Sequence, residues 1–304
     1  MRERALRANL WVGLAGLAVS SAILAFGAPF MKSWYYCFAW WSFIVFMDGL
    51  NVRRTGTSPL AASAGDFWTA AFLSVPVWLV FEMANLRLRN WSYHGLPPNV
   101  VERWAGYFIA YATVIPAFLE LGHFFESVFK DRAWTRLRMK MGPGGRAGFA
   151  AVGVFLLGLP LVWPRLFFPL VWLAFIFLLE PLNFRRGAPS LLRDLEEGRG
   201  ARLWSWMAAG PAAGVLWEFW NWWAGAHWQY HIPSLNFGRI FQMPVFGFGG
   251  FIPFALEIFA MTAFLFARRD LLRRRKGALI LAVVVLLAFD FAGFRLIDLF
   301  SVFP

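Results

Sequence analysis

The sequence predicts an all-α polytopic membrane protein of about nine transmembrane helices, arranged as two parallel four-helix repeats plus a C-terminal helix. Three observations predict it. First, 60% of the residues are hydrophobic and 15% charged, where a soluble domain carries about 25% charged residues. Such a chain cannot keep its apolar side chains off its own surface in water. Second, apolar runs recur at about 8–28, 33–50, 66–86, 104–129, 147–162, 166–182, 203–223, 245–267 and 277–297. Most approach the roughly 20 residues that a helix needs to cross hydrocarbon. Third, polar residues inside these runs recur at a nearly constant spacing, which predicts an internal duplication.

Taken in order, the chain opens on Arg2, Arg4 and Arg7, followed by the first run. That pattern also suits a signal peptide. However, no clear small-x-small cleavage site follows, and the run has a partner near 148–161, so it is read as the first span. The second run ends Asp48-Gly-Leu-Asn51-Val-Arg53-Arg54, and the sixth ends Glu180-Pro-Leu-Asn183-Phe-Arg185-Arg186, a shift of 132. The third run carries Glu82 and Asn85 and leads to Trp91-Ser-Tyr93-His94. The seventh carries Glu218 and Asn221 and leads to Trp228-Gln-Tyr230-His231, shifted by 136 or 137. The fourth and eighth runs hold Pro116 and Glu120, then Pro253 and Glu257, shifted by 137. These matches predict a first repeat over 1–130, a basic loop over 131–146, a second repeat over 147–267, and a basic loop with the final helix over 268–304.

Lysine and arginine set the orientation. The N-terminus and the loops after the second, fourth, sixth and eighth runs hold all the basic residues except Lys32, Arg87, Arg89, Arg103, Arg165, Arg239 and Arg295. By the positive-inside rule, the N-terminus is cytoplasmic, the C-terminus is outside, and the chain belongs to a cell (inner) membrane. The aromatic loops at 87–103 and 224–244 then face outward, lying in the interface or folding back over the bundle. Repeats with an even number of spans enter the membrane in the same sense, and a site then falls between them.

The net charge of +12 would suggest nucleic acid only if it formed one face on soluble elements. Here it lies in loop blocks, so nucleic acid is excluded and the expected partners are membrane lipid and an apolar small molecule. The single cysteine, Cys37, has no partner for a disulfide or a thiolate metal site. No GxxxxGK[ST], GxGxxG, HExxH or GxSxG motif is present, so nucleotide-driven work and serine or thiol chemistry have no support.

Acids inside apolar helices are costly and mark function. Glu82, Glu120, Glu218 and Glu257 are therefore the expected catalytic groups. Asp48 and Glu180, each followed by an arginine pair, are read as interface anchors. Asn85 and Asn221 stand three residues after an acid, on the same helix face, and with Trp91, Tyr93, Trp228 and Tyr230 they are the expected substrate-binding residues. His94 and His231, with Glu82 and Glu218, would suit a single divalent ion; the alternative places both histidines in an interfacial aromatic belt. Glu120-Leu-Gly-His123 has the spacing of a di-iron ligand pair, but Ala260 stands where its second copy would need a histidine. Pro116 and Pro253 are expected to bend their helices four residues before an acid and open a cavity there.

Two function classes follow. One is an intramembrane enzyme acting on an apolar lipid or isoprenoid by acid/base or metal-assisted chemistry. The other is a proton- or cation-coupled transporter using acids at several depths. A scaffold subunit, the third reading, predicts that every acid tolerates replacement by its amide.

Overall fold

The computed structural model describes residues 2–130, 138–233 and 237–303. The stretch of the basic loop from 131 to 137 lies outside the described residues. The helices are α1 (Arg2–Ala25), α2 (Pro29–Thr55), α3 (Pro59–Ala62), α4 (Ala64–Leu88), α5 (Val100–Tyr111), α6 (Val114–Phe129), α7 (Pro143–Val162), α8 (Pro164–Phe167), α9 (Val171–Arg186), α10 (Leu191–Glu196), α11 (Ala201–Trp223), α12 (Phe251–Arg273) and α13 (Lys276–Phe300). Four short strands accompany them: β1 (Trp91–His94), β2 (His227–Tyr230), β3 (Arg239–Ile240) and β4 (Met243–Pro244).

Among the described residues, seven helical segments are long and apolar enough to cross a membrane: Ala8–Ala25, Ala64–Leu88, Val100–Phe129, Pro143–Val162, Pro164–Arg186, Val245–Arg269 and Lys276–Phe300. The sequence suggests two more, α2 and α11. Both have the length, 27 and 23 residues, but do not reach the same apolarity. The reason lies in their contents. α2 carries Lys32, Asp48, Asn51, Arg53 and Arg54, and α11 carries Arg202, Glu218 and Asn221 among six tryptophans. Much of this polarity is turned inward: Asp48, Asn51, Glu218 and Asn221 are all buried. The periphery is the opposite. α1, α7 and α13 bury only 17%, 11% and 17% of their apolar windows, against 67% for α4, so they form the outside of the bundle.

Small residues set the closest helix contacts. A Cβ at Gly13 of α1 would strike the Phe46 backbone, one at Gly49 of α2 the Leu10 backbone, and one at Gly153 of α7 the Leu178 backbone. α1 therefore pairs with α2, and α7 with α9.

The prolines do something other than bend a helix. Pro116 and Pro253 are each the third residue of a helix, α6 and α12. In the first turn a missing N–H leaves no hydrogen bond unmade. The chain breaks before them instead, at Ala112–Thr113 and in the 3-10 turn Val245–Gly250. The apolar runs at 104–129 and 245–267 are thus interrupted within the bundle.

The aromatic loops form a sheet over it. β1 and β2 pair antiparallel, with Trp91 opposite Tyr230 and Tyr93 opposite Trp228. The chain after α13 adds to the free side of β1: the Tyr93 N–H donates to the Ser301 carbonyl at 2.7 Å, and the Phe303 N–H donates to the Tyr93 carbonyl at 2.9 Å.

Candidate functional site

Strand alternation decides which loop residues point down into the bundle. In β1, Trp91 and Tyr93 lie on one face, and both reach Glu82 on α4. The Trp91 indole donates to Glu82 Oε1 and Oε2 at 3.2 and 3.3 Å, Trp78 donates to Oε1 at 2.9 Å, and the Tyr93 hydroxyl donates to Oε1. The Tyr111 hydroxyl in turn donates to that of Tyr93 at 3.2 Å. On the other strand, the Tyr230 hydroxyl donates to Glu218 Oε1 at 2.7 Å. Glu218 Oε2 has no partner among the described residues. Burial raises the pKa of both Tyr93 and Tyr230 well above the ordinary tyrosine value, which keeps these phenols protonated as donors.

Asn85 and Asn221 are used on the backbone. Asn85 Nδ2 donates to the Trp91 carbonyl at 2.9 Å, and its Oδ1 accepts the N–H of Asn90 and Trp91. Asn221 holds both the carbonyl and the N–H of Trp228, each at 2.9 Å. Each amide thus positions a strand tryptophan rather than sharing a ligand with the carboxylate.

Under the sheet lies a cavity of about 390 Å³. Trp78, Trp91, Tyr93 and Tyr111 line one side of it, and Trp172, Trp217, Trp228, Tyr230 and Phe254 the other. Ring contacts join the sides: Trp78 lies 5.1 Å from Trp217 and 5.9 Å from Phe254, and Phe81 stacks on Trp172 at 5.1 Å. Of the expected site residues, Trp91, Tyr93, Trp228 and Tyr230 line this cavity. Glu82 and Glu218 stand behind it, and Asn85 and Asn221 hold its roof.

Glu120 and Glu257 lie elsewhere. Glu120 Oε2 accepts from Asn51 at 2.7 Å, and Glu257 Oε1 accepts the Phe175 N–H at 2.9 Å. Asp48 accepts from Asn9 at 2.7 Å and from Ser58; Glu180 accepts from Ser190 at 2.8 Å and from the Leu192 N–H at 3.1 Å. Ser58 and Ser190 were legible in principle, since each stands ten residues after its acid at the same shift of 132. Trp78 is one helical turn before Glu82, and that spacing alone places it beside the carboxylate.

His94 and His231 meet on a serine. Ser92 Oγ is 3.0 Å from His94 Nε2 and 2.7 Å from His231 Nε2, and the His94 ring stacks on His227 at 5.9 Å. Partial desolvation of its ring, followed by the charges of His94 and Arg239, holds the His231 pKa below its ordinary value. Among the described residues no three His, Cys, Asp or Glu side chains converge on one point.

Chemically, only one donor to Glu82 can relay a proton. An indole N–H donates and has no lone pair to accept, whereas a phenol does both. Tyr93, and likewise Tyr230, therefore links a buried carboxyl to the cavity.

Comparison of the chain with known family models, with characterised proteins and with solved structures finds no match.

Proposed function

We propose that this is an intramembrane enzyme whose cavity takes an apolar lipid or isoprenoid, and that Glu82 and Glu218 exchange protons with it through Tyr93 and Tyr230. The supporting observation is that two buried acids, from opposite sides of one aromatic cavity, each bond a tyrosine that lines it. Aromatic faces suit a flat apolar molecule or a developing cation, and a carboxyl–phenol pair suits general acid–base transfer. In this reading the two sides descend from a duplicated four-span unit with nine spans in all, an inner-membrane location, a cytoplasmic N-terminus and an external C-terminus. A divalent ion on His94 and His231 is a separate proposal that no proton step requires. Stoichiometric metal in the wild type that is lost in His231→Ala would support it.

The test uses Gly249, which lines the cavity and has open space around its Cβ position. Gly249→Trp adds a large ring at this lining position, where the Cβ itself meets no neighbour. Lipid extracts of purified wild type are expected to contain an apolar molecule that is absent from Gly249→Trp and retained by the Tyr93→Phe/Tyr230→Phe double variant. Equal retention in Gly249→Trp defeats the reading.

A transport reading draws on a different observation. Glu120, Glu257 and Asp290 are buried, away from the cavity lining, and each has a carboxylate oxygen without a partner among the described residues. Transport predicts gradient-driven flux in vesicles that Glu120→Gln and Glu257→Gln abolish.

A further inference from the structure

The positive-inside pattern leaves seven basic residues outside the cytoplasmic blocks, and three of them, Arg87, Arg89 and Arg165, line a second cavity, of about 520 Å³, together with His231. All four are exposed. Arg87 is braced by the Leu161 and Val162 carbonyls at 2.9 and 3.3 Å. Arg89 and Arg165 have no acidic partner among the described residues. Arg89 caps α4 at φ 54°, a left-handed position where glycine or asparagine is the usual residue. Keeping arginine there puts a guanidinium at this spot at a backbone cost.

This basic cavity adjoins the aromatic one. Leu88, which lines the first, packs in one cluster with Phe168 and Ile232, which line the second. In sequence, Arg89 precedes Asn90 and His231 precedes Ile232, each pair straddling the same shared wall. Three guanidiniums exceed what a single carboxylate needs. They match a phosphate monoester or diphosphate, whose oxygens accept the paired N–H groups of arginine.

We propose that the ligand is an amphiphile with a phosphate or diphosphate head, received by Arg87, Arg89, Arg165 and His231 while its apolar chain crosses the shared Leu88–Phe168–Ile232 wall into the aromatic cavity. This rests on the cavity reading above and adds the head group to it.

The test is a titration of the purified protein in uncharged detergent at low salt, read by quenching of the cavity tryptophans. The probes are geranylgeranyl diphosphate, geranylgeraniol, dioleoyl phosphatidic acid and inorganic diphosphate. The variant is Arg89→Asn/Arg165→Gln, since asparagine tolerates the left-handed position; Arg87 is left to brace α7. The diphosphate is expected to bind about 100-fold tighter than the alcohol, about tenfold for each of Arg89 and Arg165. The variant removes that advantage and leaves the alcohol unchanged. Tight binding by phosphatidic acid as well assigns the site to phosphate amphiphiles generally, and its absence narrows the site to the single-chain class; both uphold the head site. If alcohol and diphosphate bind equally, or the variant weakens both alike, the head site falls and the cavity reading stands. If inorganic diphosphate binds as tightly as the amphiphile, the site is one for a free anion and the proposal falls. If neither geranylgeranyl compound binds the wild type, both readings fall.

Discussion

Glu82 and Glu218 occupy matching places in the chain, each on a buried helix, each three residues before an asparagine and each bonded to a strand tyrosine, yet they are held differently. Glu82 accepts from Trp78, Trp91 and Tyr93, whereas among the described residues Glu218 accepts one well-formed hydrogen bond, from Tyr230, has the Trp228 side chain close by, and keeps Oε2 without a partner. The difference traces to an exchange of size. Four residues before Glu82 stands Trp78, and four before Glu218 stands Gly214. A Cβ at Gly214 would overlap the ring of Phe251, while Val114 occupies the position 137 residues earlier. At the matching positions one side thus has a large donor and a small residue, and the other a glycine packed against a large ring. Packing, rather than the choice of acid, determines which carboxylate is saturated and which has an oxygen left for a further partner. In the proposed chemistry Glu82 is the fixed member of the pair and Glu218 the adaptable one.

The largest expected effect sharpens this contrast. Glu82→Leu strands three buried donors, at about 1–3 kcal/mol each, so a loss of about 3 kcal/mol or more is expected. Glu218→Leu strands only Tyr230, and a loss of about 1 kcal/mol is expected on the same scale. Reversible unfolding in mixed micelles measures both. Equal losses would mean that the hydrogen bonds of Glu82 contribute nothing that Glu218 lacks.

Next in size is Gly214→Ala. The added methyl meets a Phe251 ring already confined by Trp217, Phe248 and Phe254 at centroid distances of 6.1, 6.3 and 6.4 Å. Overpacking of this kind costs about 1–3 kcal/mol. Pairing the change with Phe251→Val, which copies the smaller residue of the first side, is expected to recover at least half of the loss in a double-mutant cycle. No recovery would show that the size exchange between the two sides is incidental.

How much of this was legible in the sequence differs by interaction range. The acids, asparagines and loop aromatics stood out because polar groups are few in such helices and recur at fixed shifts. The all-helical class and most of the membrane-length helices followed from the same apolar runs. The bonds from Tyr93 and Tyr230 to the acids depend on β1 and β2, which are four-residue strands far apart in sequence. Strands that short show no reliable period, and nothing local fixes their register. That pairing also brings His231 to Ser92, 139 residues away, which spacing alone could not reveal. α2 and α11 read as spans by length, whereas their polarity reflects burial among other helices. The breaks before α6 and α12 were misread as bends because proline in a helix and proline at a helix start look alike in a string of letters.

A smaller effect tests the tyrosines. Tyr93→Phe leaves Glu82 with two well-formed indole donors, whereas Tyr230→Phe leaves Glu218 with no more than the looser approach of Trp228 among the described residues. Tyr230→Phe is therefore expected to cost about 1 kcal/mol more than Tyr93→Phe, read as a lower thermal midpoint. The reverse order would break the comparison, because it would make the saturated carboxylate the more dependent on its phenol.

The smallest effect concerns the one cover the two sides do not share. β1 is flanked by the chain after α13, and that end is fixed by Asp298, which accepts from Arg103 Nε and Nη2 at 2.8 Å each, from the Trp104 indole at 2.9 Å and from the Tyr107 hydroxyl at 3.0 Å. Phe303 then lies over His94 at 6.1 Å and 24° while remaining 50% exposed. A half-exposed ring adds little beyond its contact, so Phe303→Ala is expected to cost about 0.5 kcal/mol. The backbone bonds between Tyr93 and the chain end do not involve that side chain and remain. Amide exchange at Tyr93 is accordingly expected to rise only two- to threefold, since about 0.6 kcal/mol is one unit of RT. A rise of a hundredfold would show that the ring, rather than the Asp298 cluster and the backbone pairing, keeps the sheet closed over Glu82, and that the saturation of that carboxylate depends on α13 as much as on Trp78.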